Sequence, residues 1–241
     1  MLKVPWLAQV GGRAGTAPGS RACKYVLNTL MQAFQLPALA RAVAESTLRE
    51  LTGELLYRLL DDRIPRLEEG TSLLKALNIL MLKILENSRR NYSFSSLLHL
   101  LRTPPPAVAA EAAAGGGGGV PTKFSDLVVK CLIKLTKALG AALGEVDLDM
   151  LLLSIHQFFM GLGVDEIRRR GQEDDKPLRM VKTVLHEVSV CLVCITVVVK
   201  QWNLSTCTKR QLGIRDKSKA NFSSAVRLVH VLSKKARGFH V

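Results

Sequence analysis

Apolar residues return at three- and four-residue steps along most of this chain, the spacing that places side chains on one face of an α-helix. Lys123 to Leu143 shows it most plainly. There Phe124, Leu127, Val128, Cys131, Leu132, Leu135 and Leu139 form one stripe, and Lys130, Lys134 and Lys137 occupy another flank. At ~1.5–3 kcal/mol per large apolar side chain buried, such a stripe is worth on the order of 10 kcal/mol gross, which a helix collects only by stacking on others. The same spacing predicts a helix over Arg21 to Gln35, with Tyr25, Val26, Leu30 and Phe34 on one face. A second follows Pro37 and runs to about Leu60, with Val43, Leu48, Leu51, Leu55, Leu56 and Leu59 inward. A third opens near Glu68 and carries Leu73, Leu74, Leu77, Leu80, Met81, Ile84 and Leu85.

A polar turn over Asn87 to Asn91 and a short helix over Phe94 to Arg102 come next. Thr103-Pro104-Pro105-Pro106 ends that helix, because each proline removes a donor and disfavours helix in the residue before it. Composition then marks 103–121 as a flexible Pro/Ala/Gly loop, expected to lie inside one body rather than between two domains. Asp147 is the expected N-cap of a helix to about Leu162 with Leu148, Leu151, Leu152, Ile155, Phe158, Phe159 and Leu162 inward. The charged run Val164 to Asp175 reads as a solvated connector. Asp175 and Pro177 open a last helix with Leu178, Val181, Leu185 and Val188 on one side. Amphipathic helices joined by short turns bury a continuous core by stacking in antiparallel pairs, so the expected fold is all-α, a HEAT-like α-solenoid over 21–187. Residues 1–20 form a basic Gly/Ala/Pro-rich lead-in, expected to be disordered.

The length of 241 residues and the 48% hydrophobic content allow a sizeable core, built from leucine, isoleucine and valine because aromatic residues are only 5%. The net charge of +14 is uneven: from Lys200 onward ten Lys/Arg face one acid, leaving +5 for residues 1–199. A tail of that kind can attract anionic polymers such as nucleic acid or acidic protein tails, but no aromatic-basic recognition module accompanies it to read a base sequence. Five cysteines without regular spacing fit a reduced compartment. Val188 to Val199 is apolar apart from Ser189 and Thr196, too short for a bilayer span of ~20 residues, and reads as β-prone or as a helix extension.

Candidate chemistry is sparse. Gly115 to Gly119 precede Lys123, but no strand stands before them and the phosphate-loop spacing fails. Cys191 and Cys194, with Cys207 and His230 farther on, lack the second close pair that zinc motifs supply, so no metal or cofactor is expected. His156 has no second ligand at i±4, and the acid pairs Asp61-Asp62, Glu68-Glu69 and Asp174-Asp175 sit in turns where solvated capping is the ordinary role. No catalytic motif and no small-molecule substrate site is expected. What remains as a candidate binding surface is basic: Arg89 and Arg90 in a turn, Lys130, Lys134 and Lys137 on one helix, Arg168, Arg169 and Arg170 in the charged run, and Lys176, Arg179 and Lys182 on the last helix. Each stripe is also what the solvated side of an amphipathic helix looks like.

Four stretches carry a family resemblance: Asp61 to Asn87, Lys123 to Lys137, Val146 to His156 and Val164 to Glu187. Together they resemble the plant-type TOG-domain microtubule-organisation proteins and, more distantly, ch-TOG of animals, a family of microtubule polymerases. The resemblance covers about Arg21 to Glu187. It implies a TOG-like helical region near the C-terminal end of a much longer protein, a smaller sixth region after five main TOG domains. It also implies microtubule and tubulin association or binding of an adaptor protein, a role in microtubule growth and in spindle and cortical-array organisation, and a place on the cytoplasmic cytoskeleton. Tubulin-binding members use a tryptophan and basic residues on the turns inside their helix pairs. Trp6 and Trp202 fall outside 21–187, so no such tryptophan is assigned, and Arg89-Arg90 and Arg168 to Arg170 are the basic candidates. The glycine-rich segment replaces a longer family segment, and the resemblance stops at Glu187. Residues 188–241 are accordingly expected to be a truncated or alternatively spliced end.

Overall fold

The computed structural model describes residues 20–67, 69–113 and 119–204. Every regular element among them is helical: α1 (Ser20–Gln35), α2 (Pro37–Ala42), α3 (Glu45–Arg58), α4 (Gly70–Asn87), α5 (Arg90–Arg102), α6 (Pro106–Ala113), α7 (Gly119–Lys137), α8 (Leu148–Glu173) and α9 (Lys176–Leu204), with 3-10 turns at Ile64–Arg66 and Leu143–Glu145. The chain divides into two compact units between Cys131 and Leu132, inside α7.

In the first unit the main seams join α1 to α4 and α3 to α5 rather than neighbours in sequence. Their direction follows from paired ends. Lys24, early in α1, forms an ion pair with Glu69 at the start of α4, and Asn87 Nδ2 at the end of α4 donates to Phe34 O at the end of α1, 2.7 Å away. The second seam repeats this: Ser95 Oγ donates to Glu45 Oε1 over 2.6 Å near the two starts, and Gly53 meets Leu100 farther along. Each seam is therefore parallel. First helix stacks on first and second on second, while the turns at Leu36 and at Ser88 and Arg89 reverse the chain within each pair, the arrangement expected of a helical solenoid.

Packing explains the order of the seams. Cys23, Leu27 and Phe34 of α1 are buried, as are Leu77, Leu80, Met81, Ile84 and Leu85 of α4. In the α3–α5 seam Gly53 leaves room for Leu100: a Cβ there would lie 3.0 Å from Leu100 Cδ2. Ser93 and Ser96 share the Leu100 side of α5, and their buried hydroxyls have no protein partner among the described residues. Leaving such hydroxyls unpaired costs about 1–3 kcal/mol each, which the close approach of two leucine-rich helices offsets.

The turn between the pairs is held by charge and by one glycine. Arg58 is buried, bonded to Glu54 over 2.9 Å and to Asp61 over 3.5 Å, with its guanidinium 5.3 Å from the Tyr57 ring centre. Asp61 also accepts from Arg63 Nε at 2.9 Å and from the Arg63 backbone N–H at 3.0 Å, and the Arg63 hydrogen bond holds its carboxyl below the usual range. Beyond the 3-10 turn, Glu69 takes a left-handed φ of 62° and Gly70 starts α4 against the Ile64 carbonyl.

In the second unit α8 and α9 form an antiparallel hairpin, since only Asp174 and Asp175 separate them. Asp147 Oδ1 accepts from Met150 N over 3.1 Å, the expected cap. Leu151, Leu152, Ile155 and Phe158 are buried on α8, and Leu178, Val181, Val184, Leu185 and Val188 on α9. Gly163 breaks α8 with φ 75° and ψ 166°, conformations that favour glycine. The helix is long and apolar enough to pass for a bilayer span by length and composition, but the break leaves fifteen residues before Gly163, and a span needs ~20 in one run.

Several expectations change. Tyr25 points outward at 67% exposure, on the polar side of α1 with Asn28 and Gln32, while Cys23, Leu27 and Phe34 point inward on its one apolar face. The expected helix from Pro37 divides at Val43 and Ala44, both extended, with no glycine or proline there to announce it. The expected loop contains α6: Pro106 opens it and the alanines that follow are the strongest helix formers, with Val108 fully buried. Residues 114–118 lie outside the described residues, as do 1–19 and 205–241. The helix expected over Lys123 to Leu143 runs from Gly119 to Lys137. The charged run after Gly163 is helical with Ile167 buried, not an irregular connector. Val188 to Val199 continues α9, so the helical form of the two weighed is present, and Trp202 lies within that helix.

Candidate functional site

In the first unit, the Asn87–Phe34 bond brings the two reversing turns, Leu36 and Ser88-Arg89, to the same edge. Leu36 and Leu39 are 56% and 53% exposed there, although both are large and apolar. Arg89 is exposed and stacks on Tyr92, its guanidinium carbon 5.3 Å from the ring centre. Arg90 differs. It turns back to cap α4, donating from a terminal nitrogen to Leu85 O over 3.2 Å, and its Nε is buried without a protein partner. Arg90 thus caps the end of α4. Sequence reasoning missed Leu36 and Leu39 because an apolar residue beside a proline turn reads as core until the turn is placed.

On α7, Lys130 and Lys137 are exposed and form no ion pair among the described residues, whereas Lys134 is half-buried with a further interaction. The two exposed ammonium groups sit two turns apart, about 10 Å along the helix.

In the second unit the arginine run splits by role. Glu166 draws in both Arg169, over 2.7 Å, and Arg170, over 2.6 Å, and Arg169 also pairs with Glu173. These hydrogen bonds, Arg169 first, hold the Glu166 carboxyl down to about 2 and raise the Arg169 guanidinium further. Arg168 alone of the three is exposed and outside this cluster. Arg179 is tied to Asp175 over 3.0 Å, Lys176 has a further interaction, and Lys182 is half-buried. The eleven basic candidates therefore reduce to Arg89, Lys130, Lys137 and Arg168 as exposed cations outside an acid pair.

No group of three metal-ligating side chains exists among the described residues. Cys23 is buried, and burial pushes its thiol up, away from the reactive thiolate. Burial, with the nearby Arg49 and Arg102, pushes the His99 imidazole below its ordinary value. Cys207 and His230 lie outside the described residues.

A framework of stacked helices with a short-turn edge is the class of protein this geometry defines. The comparisons narrow it. Over 170 residues, 70% of this chain, the sequence is 60% identical to Protein MOR1 of Arabidopsis thaliana and 58% identical to Protein MOR1 of Oryza sativa subsp. japonica. It is 24% identical over 164 residues, 68% of the chain, to Protein mini spindles of Drosophila melanogaster. Over that segment the chain is a close homologue of plant MOR1. It spans about a tenth of the length of these relatives, 9% and 8% of the two plant proteins. No family model matches the chain, and no solved structure matches it.

Proposed function

We propose that this chain is a non-catalytic helical element of the microtubule-associated machinery to which its MOR1 and mini spindles relatives belong. The identity of 60% over 170 residues carries this reading. On it, the segment corresponds to the sixth TOG-like region near the end of a long protein, works on the cytoplasmic cytoskeleton and supports microtubule growth and spindle organisation. The contact surface on this reading is the first unit's turn edge, Leu36, Leu39 and Arg89; Lys130 and Lys137 of α7 are, separately, exposed cations that can attract tubulin's acidic surface or an acidic adaptor. The apolar pair supplies what cations alone lack, large side chains that can be desolvated in a contact.

A second reading is favoured by the charge distribution: an unspecific polycation that holds any anionic polymer through the basic residues after Lys200. Co-sedimentation of the full chain with microtubules separates the two. Leu36→Ser with Arg89→Glu should reduce the bound fraction at moderate salt, and Lys130→Glu with Lys137→Glu should reduce it most at low salt. Unchanged binding in both variants, together with loss when the basic residues after Lys200 are neutralised, would leave the polycation reading.

A further inference from the structure

Where α5 gives way to α6 the chain passes through Thr103-Pro104-Pro105-Pro106. Thr103 is exposed and extended, with φ −128° and ψ 93°, the region to which a following proline pushes a residue. Both sides of the segment are anchored. The Thr103 backbone N–H donates to His99 O over 2.8 Å, a Cβ built on Gly53 would lie 3.3 Å from Pro105 Cγ, and Val108 is fully buried. A hydroxyl is thus presented to solvent from a short extended stretch of set position, followed by prolines that have no backbone N–H to offer a helix or a sheet. No other serine or threonine in the 241-residue sequence precedes a proline. The surroundings are cationic. His99 lies one turn before Thr103 on the same face of α5, and the charges acting on it are Arg49 of α3 and Arg102 of α5 against one acid, Glu45. Glu45 is already bonded to Ser95, while half-buried Arg49 forms no ion pair among the described residues.

We propose that Thr103 is a phosphorylation site for a proline-directed protein kinase, its phosphate held in cis by Arg49 and Arg102. A kinase of this class reads the acceptor hydroxyl together with the proline after it. The γ-phosphoryl group of ATP passes to Thr103 Oγ1, ADP leaves with the electrons of the broken P–O bond, and the hydroxyl proton passes to the kinase's catalytic aspartate and on to solvent. The product carries ~1.5–2 negative charges and three acceptor oxygens, so guanidinium groups on α3 and α5 join it across their seam.

The full chain, incubated with ATP and a mitogen-activated protein kinase and read by intact and fragment mass, should gain one phosphate, at Thr103. Thr103→Val should abolish incorporation, and Pro104→Ala should reduce it at least about tenfold. A peptide of residues 97–109 runs beside it. An unmodified chain overturns the proposal whether or not the peptide is modified, the peptide telling a hidden hydroxyl from a sequence that is no substrate. Phosphate placed only elsewhere overturns it too. Phosphorus-31 NMR titration of the modified chain reads the arginine contact. Two guanidinium groups favour the dianion, so the second ionisation of the phosphate should fall at least about 0.5 below its ordinary value of about 6, and Arg49→Gln should restore it. A midpoint in the parent equal to that of a synthetic phosphopeptide of residues 97–109 overturns the contact in cis.

Discussion

Replacing Gly70 by alanine should be among the most damaging single-methyl changes in the chain. An added Cβ would lie 1.8 Å from Ile64 O, 2.8 Å from Ile64 C and 3.2 Å from Pro65 Cα, all backbone atoms that cannot rotate away. Reaching ordinary contact with that oxygen requires about 1.4 Å of separation, so the 3-10 turn and the start of α4 must part. Parting them loosens Ile64, which is 1% exposed, and strains the bond from Gly70 N to Leu67 O, 2.9 Å long. Partial exposure of an isoleucine costs about 1–2 kcal/mol and a lost hydrogen bond about 1 kcal/mol, for a net loss of roughly 2–3 kcal/mol. Thermal unfolding followed by helical circular dichroism should show Tm lower by roughly 4–12 °C. Gly140→Ala is the control, since nothing lies within 4 Å of its added Cβ. A Gly70→Ala protein within about 0.5 kcal/mol of the parent, or matching Gly140→Ala, would refute the clash as the reason for this glycine.

Asp61→Ala should cost about 2–3 kcal/mol by urea unfolding, because buried Arg58 keeps only Glu54. The pH dependence has a definite sign: a carboxyl whose folded value is depressed contributes stability above its unfolded value near 3.8 that is lost as pH falls through the folded value, so the parent should lose more below pH 4 than Asp61→Ala does. His99, depressed in the fold, works in the same direction on a higher window, and stability should fall as pH drops below about 6.5, a loss absent in His99→Gln. Glu166→Gln should weaken the short helix after Gly163, seen as faster amide exchange over 164–173, with a global change below about 1 kcal/mol because the cluster is largely solvated.

The helices were legible because their apolar stripes are long and regular; α4 and α8 follow their spacing almost residue by residue. Legibility failed where two structures satisfy the same pattern. On α1 the aromatic ring of Tyr25 suggests core, but at 100° per residue it falls with Asn28 and Gln32, opposite Cys23, Leu27 and Phe34. Pro106 and its alanines serve as linker or as helix, and burial of Val108 decides for helix. The break at Gly163 carried its glycine in plain view but was read as a helix end, since nothing local says that helix resumes at once. At the candidate surface, charge was visible and partnership was not. Arg90 and Arg169 are arginines in sequence like Arg89 and Arg168, and only the folded neighbourhood sets the first two to capping and pairing.

The parallel seams also bear on how quickly the chain can find this fold. Glu45 and Ser95 stand 50 residues apart, and Phe34 and Asn87 stand 53 apart. A bundle of hairpins makes its first contacts across turns of a few residues, whereas here each main seam closes a loop of about fifty, at an entropic cost of about 3.5 kcal/mol beyond the constant term. The helices and their short reversing turns can form early, and they gain little until the next pair arrives. An all-helical chain wired this way folds more slowly than its secondary structure alone suggests.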